Sequence, residues 1–191
     1  MVLEVGILAA VITHSSNPVA AKLAQPIYAF EVLLFAAAAV VFAAMALRSA
    51  IPGRILGAQG AILAGTFVTA GMLLLVIGQP MSSTEPLAEF LSIGLRCACM
   101  TAALALLPWL TLWWLVKRGA PMSGQLSGWL IGAGALSFSF AAMRLACPID
   151  ERLHLLIWHL LPALLLTALS AIAGAMWLRF RPRLSKFLRT S

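Results

Sequence analysis

Arg144-Leu145-Ala146-Cys147-Pro148-Ile149-Asp150-Glu151-Arg152-Leu153-His154-Leu155-Leu156-Ile157-Trp158-His159 is a polar knot between two long apolar runs. It holds two of the chain's three histidines, one of its three cysteines and two of its six acids. A lipid-facing helix has no use for such groups. Ionisable side chains at membrane depth are costly, and they face the bundle interior or a water-filled cavity. The knot therefore reads as the junction of two helices at one end of a bundle. The rest of the chain is a frame that places it near a second cluster, Arg96-Cys97-Ala98-Cys99.

Composition supports that frame. Of 191 residues, 62% are hydrophobic and only 10% charged, with a mean hydropathy of +1.01. A soluble domain keeps about 25% charged residues, so the solvent of this chain is lipid. A spanning helix needs about 20 mostly apolar residues. Segments at roughly 27–47, 55–79, 88–116, 124–146 and 153–178 meet that length. A sixth, 1–13, is apolar but covers only about 20 Å of a ~30 Å core, and is expected to be a truncated first helix. No Lys or Arg precedes it, which argues against a secretory signal peptide. The expected fold is all-α: a single polytopic transmembrane bundle of six helices over 1–191, ending in a basic tail at 179–191.

Orientation follows from charge. Nine of thirteen Lys/Arg lie at Arg48, Arg54, Lys117, Arg118, Arg179, Arg181, Arg183, Lys186 and Arg189. The opposite loops hold Lys22 and Arg152 against Glu85, Glu89, Asp150 and Glu151. The positive-inside rule then places both termini and the basic links in the cytoplasm. The net charge of +7 is thus a topology signal, not a nucleic-acid footprint. Small residues suggest packing faces: Ala36, Ala39, Ala43 and Ala46 in one helix, Gly128 and Gly132 in another. Pro108 and Pro162 are expected to kink their helices near mid-membrane.

In this topology Cys97, Cys99, Cys147, His154 and His159 share the outer half of the membrane with Arg96 and Arg144. Thiolates and imidazoles are ligands for soft and borderline metals, and two cysteines in an oxidising compartment also form disulfides. Arg96 and Arg144 beside them would favour thiolate. Structural alternatives stay open: a cysteine in a membrane helix also serves as a small hydrophobe, His159 beside Trp158 suits an interfacial hydrogen-bonding pair, and either arginine can snorkel or pair with Glu89, Asp150 or Glu151. The chain has no phosphate loop, no G-x-S-x-G, no H-E-x-x-H and no C-x-x-C. His14, His154 and His159 fall toward one side of the membrane, which argues against a two-haem electron carrier. A membrane thiol oxidoreductase would want a second exchangeable cysteine pair, and a small metal carrier would want inner-side ligands. Neither is evident. A structural membrane subunit is the plain alternative.

From Glu31 onward the order of short motifs is more specific than any one of them. Glu31-x-Leu33 opens an Ala-rich helix, and Ala50-Ile51-Pro52-Gly53-Arg54 marks the first basic link. Arg96-Cys97 precedes Leu107-Pro108, followed by Lys117-Arg118-Gly119-Ala120-Pro121, Leu145-Ala146-Cys147-Pro148 and Leu156-Ile157-Trp158-His159. Over about 27–180 this resembles the NrsF family of six-helix inner-membrane proteins, negative regulators of ECF sigma factors. The resemblance implies an anti-sigma role in a bacterial inner membrane. An ECF sigma factor would be held inactive on the cytoplasmic side and released under stress, with no direct contact to nucleic acid, no enzymatic step and no required cofactor. It further implies that Cys97 and Cys147 sense heavy metal or oxidant as a pair, with the metal ion as signal. Arg96, Arg144, His154 and His159 would be auxiliary to them. Cys99 has no counterpart in the family pattern, and the sigma-binding residues are not identified. Family members begin with a cytoplasmic stretch and a full first helix, whereas this chain is expected to start inside that helix.

Overall fold

The computed structural model describes residues 22–51, 86–178 and isolated positions between 60 and 78. The expected helix at 1–13, most of that at 55–79 and the tail at 179–191 lie outside the described residues. Among the described residues the chain is helical and contains no strand. Four helices among the described residues are long and apolar enough to cross a membrane: α1 (Pro26–Ser49), α2 (Leu87–Arg118), α3 (Gly124–Ala146) and α4 (Arg152–Trp177). Their ends fall within two residues of the expected segments at 27–47, 88–116, 124–146 and 153–178.

Local chemistry sets these ends. Pro26 occupies the first turn of α1, where its missing N–H costs nothing. The Ser123 side chain caps α3 by accepting from Leu126 N at 3.3 Å, satisfying one orphan donor. At the other end of α3, Cys147 is extended (φ −76°, ψ 127°), because the ring of Pro148 disfavours a helical residue before it. Pro108 lies inside α2, which runs unbroken through it.

The architecture centres on α3. Its most apolar window is 78% buried, against a third or less for the other three. It carries Gly124, Gly128, Gly132, Gly134 and buried serines at 127, 137 and 139. In lipid, apolar side chains suffice on the outside, and helices associate through small residues and interhelical hydrogen bonds. A β-carbon at Gly128 would overlap the Ser170 carbonyl and lie 2.8 Å from Gly174 Cα, so α3 and α4 meet backbone to backbone here. Ser170 Oγ donates to Gly128 O at 2.6 Å, and Ser139 Oγ donates to Thr101 O of α2. The Gly128–Gly132 stripe thus packs as expected. The alanine stripe on α1 does so in part: Ala39 and Ala46 are buried and Ala43 packs against the core, whereas Ala36 is exposed, and the buried line also takes in Tyr28, Glu31, Phe35, Ala38, Phe42 and Ser49. Phe35 packs against Phe140 of α3, the rings tilted at 48° with centroids 4.3 Å apart. Aromatic rings and small residues share that seam, where Gly134 of α3 lies against the backbone at Ala39 and Ala43.

The two ends of the bundle differ in kind. At one, Ala120 N donates to Ala50 O at 2.9 Å and Ser49 Oγ meets Ser127 Oγ at 2.7 Å. These contacts gather the links that carry Arg48, Lys117 and Arg118. At the other, Lys22 Nζ reaches Asp150 at 3.0 Å, beside Arg144 and Cys147.

Candidate functional site

The site is built from three pieces of chain that arrive by different routes. α2 presents Gly94, Cys97, Thr101 and Ala105 as its buried line, spaced three and four residues apart. Gly94 is part of that fit, because a β-carbon there would run into the indole ring of Trp158. The bend after α3 contributes Cys147, held non-helical by Pro148. α4 contributes His154 and His159.

The α4 histidines meet through a departure from regular helix. Residues Leu155–Leu160 form a π-helical turn, in which hydrogen bonds run from i to i+5. On a 3.6-residue helix, positions five apart point about 140° away from each other. The wider turn restores them to one face, and the two imidazole centroids lie 5.3 Å apart. Pro162, just beyond the turn, cannot donate to the carbonyl four residues back, so the regular ladder is already interrupted there. The edge of Phe140 or its face borders His159 at 6.0 Å, and Phe90 borders His154 at 6.5 Å.

Cys97 Sγ and Cys147 Sγ are 3.8 Å apart, both buried and neither in a disulfide. Cys147 Sγ is 3.7 Å from His154 Nε2. One donor atom from each of Cys97, Cys147, His154 and His159 lies within 4.8 Å of every other. Thr101 Oγ1 donates to Cys97 O at 2.9 Å and lies 3.3 Å from His159 Nδ1. With its proton committed to that carbonyl, the hydroxyl accepts from His159 Nδ1–H. Nε2 then carries the lone pair, and it is buried with no hydrogen-bond partner among the described residues. The hydrogen bond with Cys97 holds the Cys147 thiol below the ordinary cysteine range; burial opposes this, and the hydrogen bond with His154 reinforces it. Met143, Ile149 and the apolar parts of Ile93 and Leu104 pack around the thiols.

Arg144 stands beside this cluster in a separate polar network. Its guanidinium donates to Glu31 Oε2 from Nε at 3.0 Å and from NH2 at 2.7 Å. It also bonds Asp150 Oδ1 at 2.6 Å. Tyr28 donates its hydroxyl proton to the Arg144 carbonyl. Lys22 Nζ bridges Asp150 and the Cys147 carbonyl, each at 3.0 Å. The bend that carries Cys147 is therefore tied to the start of α1. Arg96 and Cys99, although next to Cys97 in sequence, are exposed on the outside of α2. The helical rotation of about 100° per residue carries both away from the thiol, so Arg96 has no place beside the sulfurs.

Of the expected site residues, then, Cys97, Cys147, His154 and His159 converge, Arg144 adjoins them and Arg96 does not. Glu31, Tyr28, Lys22 and Thr101 were not anticipated as parts of the site. Glu31 had a signal: a carboxylate inside an apolar helix needs a cation, and Arg144 is the buried one.

Two thiols at this separation can take up one soft cation together, or close to about 2.05 Å as a disulfide on oxidation. Comparison with curated proteins and with solved structures gives no match. The family model described as NrsF, negative regulator of sigma F, matches residues 2–180. That span covers most of the polypeptide and both halves of the cysteine–histidine cluster, and the chain belongs to the NrsF family.

Proposed function

We propose that this chain is a six-helix inner-membrane regulator with both termini in the cytoplasm. It retains an ECF-type sigma factor there and releases it when heavy metal or oxidant engages Cys97 and Cys147 from the periplasmic side. The family description supports negative regulation of a sigma factor. The observation that carries the sensing is the 3.8 Å separation of two sulfurs that lie fifty residues apart in sequence.

The route from signal to partner runs along α3. Cys147 caps one end of this helix. Its other end contacts Ser49 of α1 and the Gly174 turn of α4. Closing the two sulfurs from 3.8 Å to about 2.05 Å as a disulfide, or drawing donor atoms that lie within 4.8 Å of one another onto one ion, moves that end of α3 relative to its neighbours. The far end carries the displacement to the links around Ala50 and Ala120, which are hydrogen-bonded to each other. Lys117 and Arg118 sit in that region, where the positive-inside rule puts the cytoplasm. Such coupling needs two arrangements of the bundle that differ in affinity for the signal. This is regulation without catalysis, and no cofactor is needed.

The test is retention of the sigma factor on detergent-solubilised chain, with and without Cd²⁺ or a thiol oxidant. The wild type releases its partner on either treatment. A Cys97→Ser/Cys147→Ser double variant stays inserted, retains the partner and does not respond. An unchanged response in the double variant removes the thiols from the mechanism.

A further inference from the structure

The geometry points to a four-ligand site, in which Cys97, Cys147, His154 and His159 together hold one divalent borderline or soft cation in a tetrahedron. This deepens the proposed sensing role and rests on it only for its physiological meaning. Binding itself is a property of the four side chains.

Three observations converge on it. The first is size. With metal–sulfur bonds of about 2.3 Å and metal–nitrogen bonds of about 2.0–2.1 Å, a tetrahedron has sulfur–sulfur edges of about 3.8 Å and sulfur–nitrogen edges of about 3.6 Å. The Cys97–Cys147 separation is 3.8 Å and the Cys147–His154 Nε2 separation is 3.7 Å. The second is an unspent lone pair. His159 is 1% exposed, its Nδ1 is committed to Thr101, and its Nε2 has no hydrogen-bond partner among the described residues. An orphaned buried acceptor is costly, and a Lewis acid relieves that cost. Thr101 stands to His159 as outer partners stand to metal-bound imidazoles, fixing the tautomer through the other ring nitrogen. The third is backbone. The π turn at Leu155–Leu160 brings both imidazoles to one face, and single π turns inside helices recur at functional sites.

Charge selects the ion. The filled site of two thiolates, two neutral imidazoles and M²⁺ is uncharged, and whatever protons the sulfurs still hold leave as the ion enters. A buried apolar surround favours that outcome over a monovalent ion, which would leave a net negative site. Four protein donors close the coordination sphere, as in structural rather than catalytic zinc centres. Oxidation of the same thiols to a disulfide releases two protons and two electrons to the oxidant and makes no use of the imidazoles. The histidines therefore separate the two signals.

The experiment titrates the purified full-length chain in detergent with Co²⁺, then displaces it with Zn²⁺ or Cd²⁺. One equivalent of Co²⁺ gives the intense visible bands of tetrahedral coordination with thiolate charge transfer. His154→Ala and His159→Ala each weaken binding by about 100-fold or more, and Thr101→Val by about tenfold. Cys99→Ser leaves binding unchanged. Diamide joins Cys97 to Cys147 in the histidine variants to the same final yield as in wild type, more slowly where His154 no longer favours the thiolate, which shows that their frame is intact. Wild type without a tetrahedral signal, or histidine variants that bind as wild type while cross-linking normally, overturns the site. Sigma-factor retention, read on the same preparations, is a separate outcome. Retention without metal binding refutes this inference and leaves the regulator standing; metal binding without retention does the reverse.

Discussion

The two ends of α3 are held by opposite means. Near Gly124 and Gly128 it lies against Gly174 with nothing but backbone between the helices. Near Arg144 and Cys147 it is held by a buried guanidinium, two carboxylates, a lysine and a thiol. Close packing does not depend on what is dissolved outside. Charge pairs and thiols do, through protons, metals and oxidants. The comparison teaches that close packing and chemically reactive groups hold opposite ends of one helix, the arrangement the proposed sensing requires.

The largest expected effect comes from cutting the polar end. Glu31→Ala leaves the Arg144 guanidinium, only 4% exposed, with Asp150 and the Tyr28 ring, whose centroid lies 4.9 Å from it. Breaking a buried pair in this way costs about 3–5 kcal/mol. The thermal midpoint in detergent should fall sharply, and alkylation of Cys97 should speed up because the bend it faces is loosened. Next comes the packed end. Gly128→Val forces α3 away from Ser170 and Gly174, at about 1–3 kcal/mol. Here melting should drop while Cys97–Cys147 cross-linking persists, since the overlap lies at the far end of the helix. If Gly128→Val frees the thiols as much as Glu31→Ala does, the two ends are not separable.

Smaller effects sharpen the contrast. Asp150 is 38% exposed, so Asp150→Asn should cost about 1 kcal/mol or less, measured by the same melts, despite its 2.6 Å contact with Arg144. Smallest of all, Arg96→Gln and Cys99→Ser lie on the exposed face of α2. They should stay within about 0.5 kcal/mol of wild type and leave the metal and oxidant responses untouched. A response lost in Arg96→Gln would restore that arginine to the site.

The spanning helices were legible because apolar length and flanking charge report on lipid directly. So was the grouping of Cys97, Cys147, His154 and His159 at one end of the bundle, since polar groups in such a chain are few. What sequence could not supply was rotation and partner. Arg96 and Arg144 look alike beside their cysteines, yet one turns outward and the other inward by the helical phase of each element. Glu31 pairs with Arg144 across 113 residues, a contact that exists only once α1 and α3 pack. The π turn hid the histidine pair, because regular periodicity sends His154 and His159 to different faces. Ala36 alone of its stripe misled, for a related reason: a small residue permits a close seam but does not require one, and Phe35 beside it turns inward instead.

The most direct measurement is oxidative cross-linking of the intact chain in membranes, read by peptide mapping of all three cysteines. The account predicts one product, in which Cys97 and Cys147 are joined with loss of two hydrogens and Cys99 stays free to alkylating reagent. A Cys97–Cys99 or Cys99–Cys147 linkage, or no intramolecular linkage under conditions that oxidise exposed thiols, contradicts it.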